Sequence, residues 1–204
     1  MTNLIEIPGD SKEKLERLFQ MYHEVLKETD EILPVGLLLQ ETLLKTIVIS
    51  VASHLERMTI ITIRNLVGTL VGHQGQIIEN FVYNKMLDRN FHSLFQWDKR
   101  QANKFYSYFS GSNKDEANFT EFMKGKVRKD SDFNEAVESF LELGEQRNNL
   151  VHNDLASAQL DNITIEDIER KYQAAQGFLP KFYNYALEFI QSDVNKETPA
   201  SDRA

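Results

Sequence analysis

Residues 131–153 read SDFNEAVESFLELGEQRNNLVHN, and the periodicity of that stretch decides the fold. Phe133, Ala136, Val137, Phe140, Leu141 and Gly144 recur at three- and four-residue spacing, which lays them along one face of an α-helix. Ser131 or Asp132 reads as its cap, with Glu135 placed to close a capping box with Asp132. The next position on the apolar face after Gly144 is Arg147. An isolated guanidinium is costly to bury, so an Arg continuing an apolar stripe must be paired or must line a cleft or interface. His152 follows five residues later, a rotation of about 140° on an unbroken helix. The two side chains therefore converge only if the helix ends or kinks between them. Asn148, Asn149, Asn153 and Asp154 favour such an ending, because their side chains compete for backbone hydrogen bonds.

The same helical period extends to both sides. Leu15, Leu18, Phe19, Tyr22, Val25 and Leu26 predict a first helix starting near Ser11. Beyond Pro34 a long helix is expected from about Val35 to Leu70, with Leu44, Val48, Val51, Leu55 and Met58 as its central stripe. The β-branched run 59–63 taken alone suggests a strand, but its flanks are helical and no hairpin turn follows. Gly68, Gly72 and Gly75 mark the end of that element and lack the Lys-Ser/Thr ending of a phosphate loop. A third helix is expected over about Gln76–Leu87, then an aromatic-rich, partly basic region at about 90–130 that reads as an insertion between core helices. A last helix, from about Thr164 to Ile190, carries Ile168, Tyr172, Ala175, Phe178, Phe182, Tyr185, Ala186 and Phe189, with Pro180 a possible kink. The expected architecture is one all-α domain, an antiparallel helical bundle over residues 1–192, followed by a disordered polar tail at 193–204.

Composition agrees with a helical domain and removes several chemistries. The 204 residues are 41% hydrophobic and include 13 Phe, enough for one buried core, while 9 Gly and 4 Pro are few for a β design. With no cysteine, disulfides, thiolate metal sites and cysteine nucleophiles are excluded. No signal-peptide layout opens the chain, and Gln40, Glu41, Lys45, Glu56, Arg57 and Arg64 interrupt its most apolar stretch. A cytoplasmic protein without a membrane span is the expectation, and the Asn-x-Thr sequons at Asn118 and Asn162 read as accidental. The formal net charge of −8 opposes nucleic-acid binding. Between Asp98 and Asp130, however, eight basic residues face five acidic ones.

Arg147 with His152 suits phosphodiester chemistry on RNA. A His exchanges protons near neutral pH, and an Arg holds two phosphate oxygens and offsets the charge of the transition state. RNA brings its own nucleophile, the 2′-hydroxyl, so no metal or cofactor is required. Arg-x-x-x-x-His alone is a common spacing, equally at home at a helix end with a surface His. The other histidines, His23, His54, His73 and His92, lack neighbours at metal-ligand spacing. Trp97 and the aromatics around it, interleaved with Lys99, Arg100 and Lys104, offer base stacking and RNA contact, or simply core.

The segment Arg147-Asn148-Asn149-Leu150-Val151-His152-Asn153 resembles the motif of the HEPN superfamily: Arg, a polar residue, then His after four to six residues. The motif stands where that family has it, at the end of a core helix and ahead of the final one. The stretch Ser50-Val51-Ala52-Ser53-His54-Leu55-Glu56 is similar to the central helix of the RiboL-PSP-type subgroup. The resemblance implies a homodimer whose Arg–His pairs face one cleft and cut RNA to leave a 2′,3′-cyclic phosphate, often as a toxin or anti-phage effector. It implies that Arg147 binds and polarises the phosphate, that His152 is general acid/base and that Asn148 orients the phosphate or His152. Glu56 would pair with Arg147, or is an ordinary helix-surface carboxylate. Two other readings compete: a non-catalytic dimerisation module, and a nucleotide-binding subunit beside a nucleotidyltransferase. An antitoxin or nucleotidyltransferase partner is therefore an expectation too.

Overall fold

A computed structural model describes residues 9–28, 34–71, 91–110, 118–152 and 163–197. The described residues contain no strand and form eight α-helices: α1 Gly9–Glu28, α2 Pro34–Val71, α3 Phe91–Leu94, α4 Asn103–Ser107, α5 Phe119–Lys129, α6 Ser131–His152, α7 Ile165–Ala175 and α8 Phe178–Glu197. A single 3₁₀ turn, Trp97–Lys99, links α3 to α4. The all-α expectation holds, and the β-branched run 59–63 is helical within α2. The expected helix at Gln76–Leu87 and the glycines at 72 and 75 lie outside the described residues.

Helix α6 is the centre of the arrangement and packs against α2, α5, α7, α8 and the 3₁₀ turn, while α1 covers α2. Its stripe behaves as the periodicity demands: Phe133, Ala136, Phe140, Leu141 and Leu143 are buried. Each large side chain so enclosed contributes about 1.5–3 kcal/mol relative to exposure. Along α2, Ile47, Val48, Val51 and Leu55 are buried in the same core. By length and composition α2 is long and apolar enough to cross a membrane. Its middle turns pack into the core, and its His54 is hydrogen-bonded through Nδ1 to Ser11 Oγ of α1 at 2.5 Å.

Four local details differ from the sequence expectation. The cap of α6 is neither Ser131 nor Asp132: the Asp130 carboxylate accepts from the Phe133 N–H at 3.0 Å. Asp130 is the lone residue between α5 and α6, and its extended backbone (φ −113°, ψ 100°) suits an N-cap. The final helix is two helices, broken at Gln176 and Gly177. Pro180 therefore sits in the first turn of α8, where a missing N–H costs nothing, and kinks no helix. Helix α8 continues to Glu197, past the expected tail boundary at Asp193, because no Gly or Pro intervenes before Pro199. Finally, the described residues of the 90–130 region, read as an insertion between core helices, belong to the core themselves. Phe95, Phe105 and Phe119 are buried, with Phe95 stacked on Phe105 (centroids 4.7 Å apart) and Phe105 against Phe182 of α8 (4.9 Å). Its aromatic bulk closes the bundle between α6 and α8.

The Asn118 sequon has a structural use as well. Its side chain caps α5, accepting from the Glu121 N–H at 3.2 Å. Thr164 does the same for α7 through the Asp167 N–H, also at 3.2 Å.

Candidate active site

The site is built from a glycine outward. At Gly144, α6 presents a notch filled by the Trp97 indole: an added Cβ would lie 2.0 Å from Trp97 Cζ3. The indole stacks on Phe140, with centroids 5.9 Å apart, and its Nε1 donates to the His92 carbonyl at 3.0 Å. The chain after Trp97 reverses through Arg100, whose left-handed backbone (φ 49°) lets Gln96 and Gln101 exchange hydrogen bonds of 3.2 Å. Such a conformation costs a non-glycine residue about 1–3 kcal/mol. Two α6 carboxylates hold it in place: Arg100 donates to Glu145 at 2.5 Å and to Glu142 at 2.8 Å. In this way α6 anchors the segment that carries His92.

One helical turn beyond Gly144, Arg147 meets that segment. Its Nη1 donates to His92 Nδ1 at 3.0 Å and to Asn148 Oδ1 at 3.2 Å. Two clefts adjoin here: Glu56, His92, Arg147 and Asn148 line the first, and His92, Asp98, Asn148 and His152 the second. His92 and Asn148 belong to both. Partial burial, then the Arg147 charge, holds the His92 pKa below its ordinary value, with His152 adding to the effect and Glu56 opposing it.

Helix α6 does not end or kink before His152; it runs unbroken through it. Arg147 and His152 accordingly stay about 140° apart around the axis and do not converge directly within one chain. Asn148 bridges them, sharing a helix face with His152 four residues on and a hydrogen bond with Arg147. Glu56 lies at the cavity beside Arg147 and is half-buried.

The basic residues proposed for RNA contact fall elsewhere. Arg100 is committed to its two carboxylates, and Lys99 stands exposed on the 3₁₀ turn. Lys104 is half-buried in α4, and the charged residue of the 3₁₀ turn that lines the cleft is Asp98. Trp97, Phe91, Phe95, Phe105 and Tyr106 are buried as core. His23 bridges to Glu169 at 3.0 Å, joining α1 to α7. His54 lies against Tyr172, 5.9 Å between ring centroids, and burial lowers its pKa, followed by the charges of Arg57 and Lys12. His92 is the residue that sequence spacing misses. Its partner is 55 positions away, and the packing of the Trp97–Arg100 turn on α6 brings the two together. Among the described residues no group of three His, Asp or Glu is placed to hold a metal ion.

The family model described as RiboL-PSP-HEPN matches residues 12–188, which include α2, α3 and α6, the helices that line this site. The chain belongs to the RiboL-PSP-HEPN family. No curated protein and no solved structure matches it. Within this HEPN domain the Arg–Asn–His motif occupies the last two turns of α6, against the α3 segment.

Proposed function

We propose that this HEPN protein is a metal-independent endoribonuclease acting as a homodimer, with Arg147, Asn148 and His152 as its site. The supporting observation is the cleft itself: a permanent cation, an amide and a titratable base occupy adjoining walls at the end of one rigid helix. The 2′-hydroxyl of RNA attacks phosphorus as His152 takes its proton, the P–O2′ bond forms and the P–O5′ bond breaks. The 5′-oxygen leaves with a proton from protonated imidazole or water, giving a 2′,3′-cyclic phosphate and a 5′-hydroxyl. Arg147 holds the non-bridging oxygens as charge builds on them, and Asn148 fixes its orientation. Association of two copies brings two motifs to one cleft and offsets the divergence of Arg147 and His152 on the helix. Val151, beside His152 and about half exposed, offers apolar surface for that contact. The cell role that suits such an enzyme is a cytoplasmic toxin or anti-phage effector, restrained by an antitoxin or a nucleotidyltransferase partner.

One observation favours a second reading, a non-catalytic dimerisation module: Arg147 already has partners within its own chain. Substitution separates the two. Arg147→Ala and His152→Ala should each reduce EDTA-resistant cleavage of a mixed RNA substrate at least a hundredfold, with circular dichroism and sedimentation mass unchanged. A purified wild-type dimer that cuts no RNA in EDTA ends the enzymatic reading.

A further inference from the structure

We propose that the neutral imidazole of His92 is the positioning acceptor that aims the Arg147 guanidinium into the cleft it shares with Asn148. The inference rests on the ribonuclease reading for its consequence, but not for its geometry. Arginine has only donors, so the ring nitrogen 3.0 Å from Arg147 Nη1 must offer a lone pair. The nearer ring nitrogen is Nδ1, with Nε2 at 3.4 Å from the same atom, and the shorter contact assigns the lone pair to Nδ1 and the proton to Nε2. Nη1 also donates to Asn148 Oδ1 at 3.2 Å. Nη1 is thus pinned between two acceptors on different elements, and a bidentate grip on phosphate needs only two of the other three N–H groups. Without His92, the long side chain regains rotamer freedom and its fork is no longer aimed.

The contact exists only while His92 is uncharged. A protonated ring has no lone pair for Arg147 and repels it. The groups facing the imidazole are Glu56 from α2, Arg147, His152 and Glu145 from α6, and Asp98 from the 3₁₀ turn. Partial burial and the adjacent guanidinium outweigh the nearby Glu56, so the neutral form persists below the ordinary His range. The contact is therefore intact at neutral pH and is lost as pH falls through that lowered value. The carbonyl of His92 accepts from the Trp97 indole, which itself fills the notch at Gly144, so the backbone that carries the imidazole is tied to α6 independently of Arg147.

Two measurements test this. In the first, the His92 ring is titrated by NMR in wild type and in Arg147→Gln. The wild type should show the Nε2–H tautomer and a depressed pKa, and Arg147→Gln should move that pKa upward. An unchanged pKa, or an Nδ1–H tautomer, overturns the proposal whether or not RNA is cut. In the second, cleavage kinetics compare three variants. His92→Asn keeps a non-titrating acceptor near the Nδ1 position, His92→Phe keeps a ring without one, and His92→Ala keeps neither. His92→Ala and His92→Phe should each lose about tenfold or more in kcat/KM, with His92→Asn within about threefold of wild type. Rescue by Phe but not Asn would assign His92 to packing, and equal loss in all three would assign it to proton transfer; either overturns positioning. An NMR coupling with no cleavage by any form would leave the contact standing and remove the ribonuclease reading alone.

Discussion

Gly144 is where residue-scale chemistry controls the site. Helix propensity favours alanine over glycine by about 1 kcal/mol, so on an open helix face Gly144→Ala would stabilise. Here the new methyl would sit 2.0–2.8 Å from three atoms of the Trp97 ring. A fused ring held by Phe140 on one side and by its own N–H bond to His92 cannot swing aside cheaply. Overpacking of this kind costs about 1–3 kcal/mol, enough to reverse the propensity gain. Gly144→Ala is expected to lower the Tm seen by differential scanning calorimetry, and a second change, Trp97→Leu, should return part of it. A Tm at or above wild type would show that the indole yields freely. RNA cleavage should fall in Gly144→Ala as well, since displacing Trp97 displaces the carbonyl of His92.

At the scale of elements, the α5–α6 junction is a single residue whose carboxylate serves three donors. Asp130 accepts from Tyr185 Oη at 2.6 Å, from Lys181 Nζ at 2.9 and 3.0 Å, and from the Phe133 N–H at 3.0 Å, tying α8 to the start of α6. The Tyr185 hydroxyl, then Lys181 and the Phe133 N–H, hold the carboxyl down at about 2, below its ordinary 3.8. A carboxyl with a depressed folded-state pKa stabilises the fold above its unfolded value and loses that contribution as pH falls through the folded one. Asp130→Asn keeps a capping oxygen and removes the charge. Its Tm should lie below wild type at pH 5–7, and the gap should close as the pH is brought from 4 to 2; parallel curves by circular dichroism would refute this. These same junctions mark what the sequence leaves illegible. The long helices α1, α2 and α6 announce themselves because one face of each is apolar at helical spacing. The α7–α8 break does not, because Ile168, Tyr172, Ala175, Phe178 and Phe182 keep that spacing across Gly177. The 91–110 segment has no period at all: its folding depends on aromatic contacts with α6 and α8. Arg147 is legible as a polar residue continuing a buried stripe. His92 carries no such local mark, and the unbroken run of α6 through His152 defeats the helix-breaking tendency of Asn148 and Asn149 because the preceding turns are locked in the core.

For the molecule as a whole, the charge of −8 sets the terms on which RNA is met. A protein that grips nucleic acid through a basic face loses affinity steeply with salt, because each phosphate contact releases counterions. This chain spends its cations internally: Arg100 on Glu142 and Glu145, Lys171 on Glu142, Lys126 on Glu188 and Lys181 on Asp130. If the shared cleft of a dimer engages about two phosphates, through its two Arg147 side chains, the slope of log affinity against log salt for single-stranded RNA is roughly −1.4. Raising salt from 50 to 200 mM then weakens binding only roughly sevenfold, against a thousandfold or more for proteins making six or more such contacts. Fluorescence anisotropy with a short RNA and the inactive His152→Ala variant, which keeps Arg147, measures this slope. A steep slope, near that of six contacts, would mean that RNA lies across a basic surface away from the cleft, and Lys99, Lys104, Arg128 and Lys129 would then be the residues to neutralise. A shallow slope that flattens further in Arg147→Gln would place the phosphate on Arg147 and leave substrate choice to the shape of the cleft.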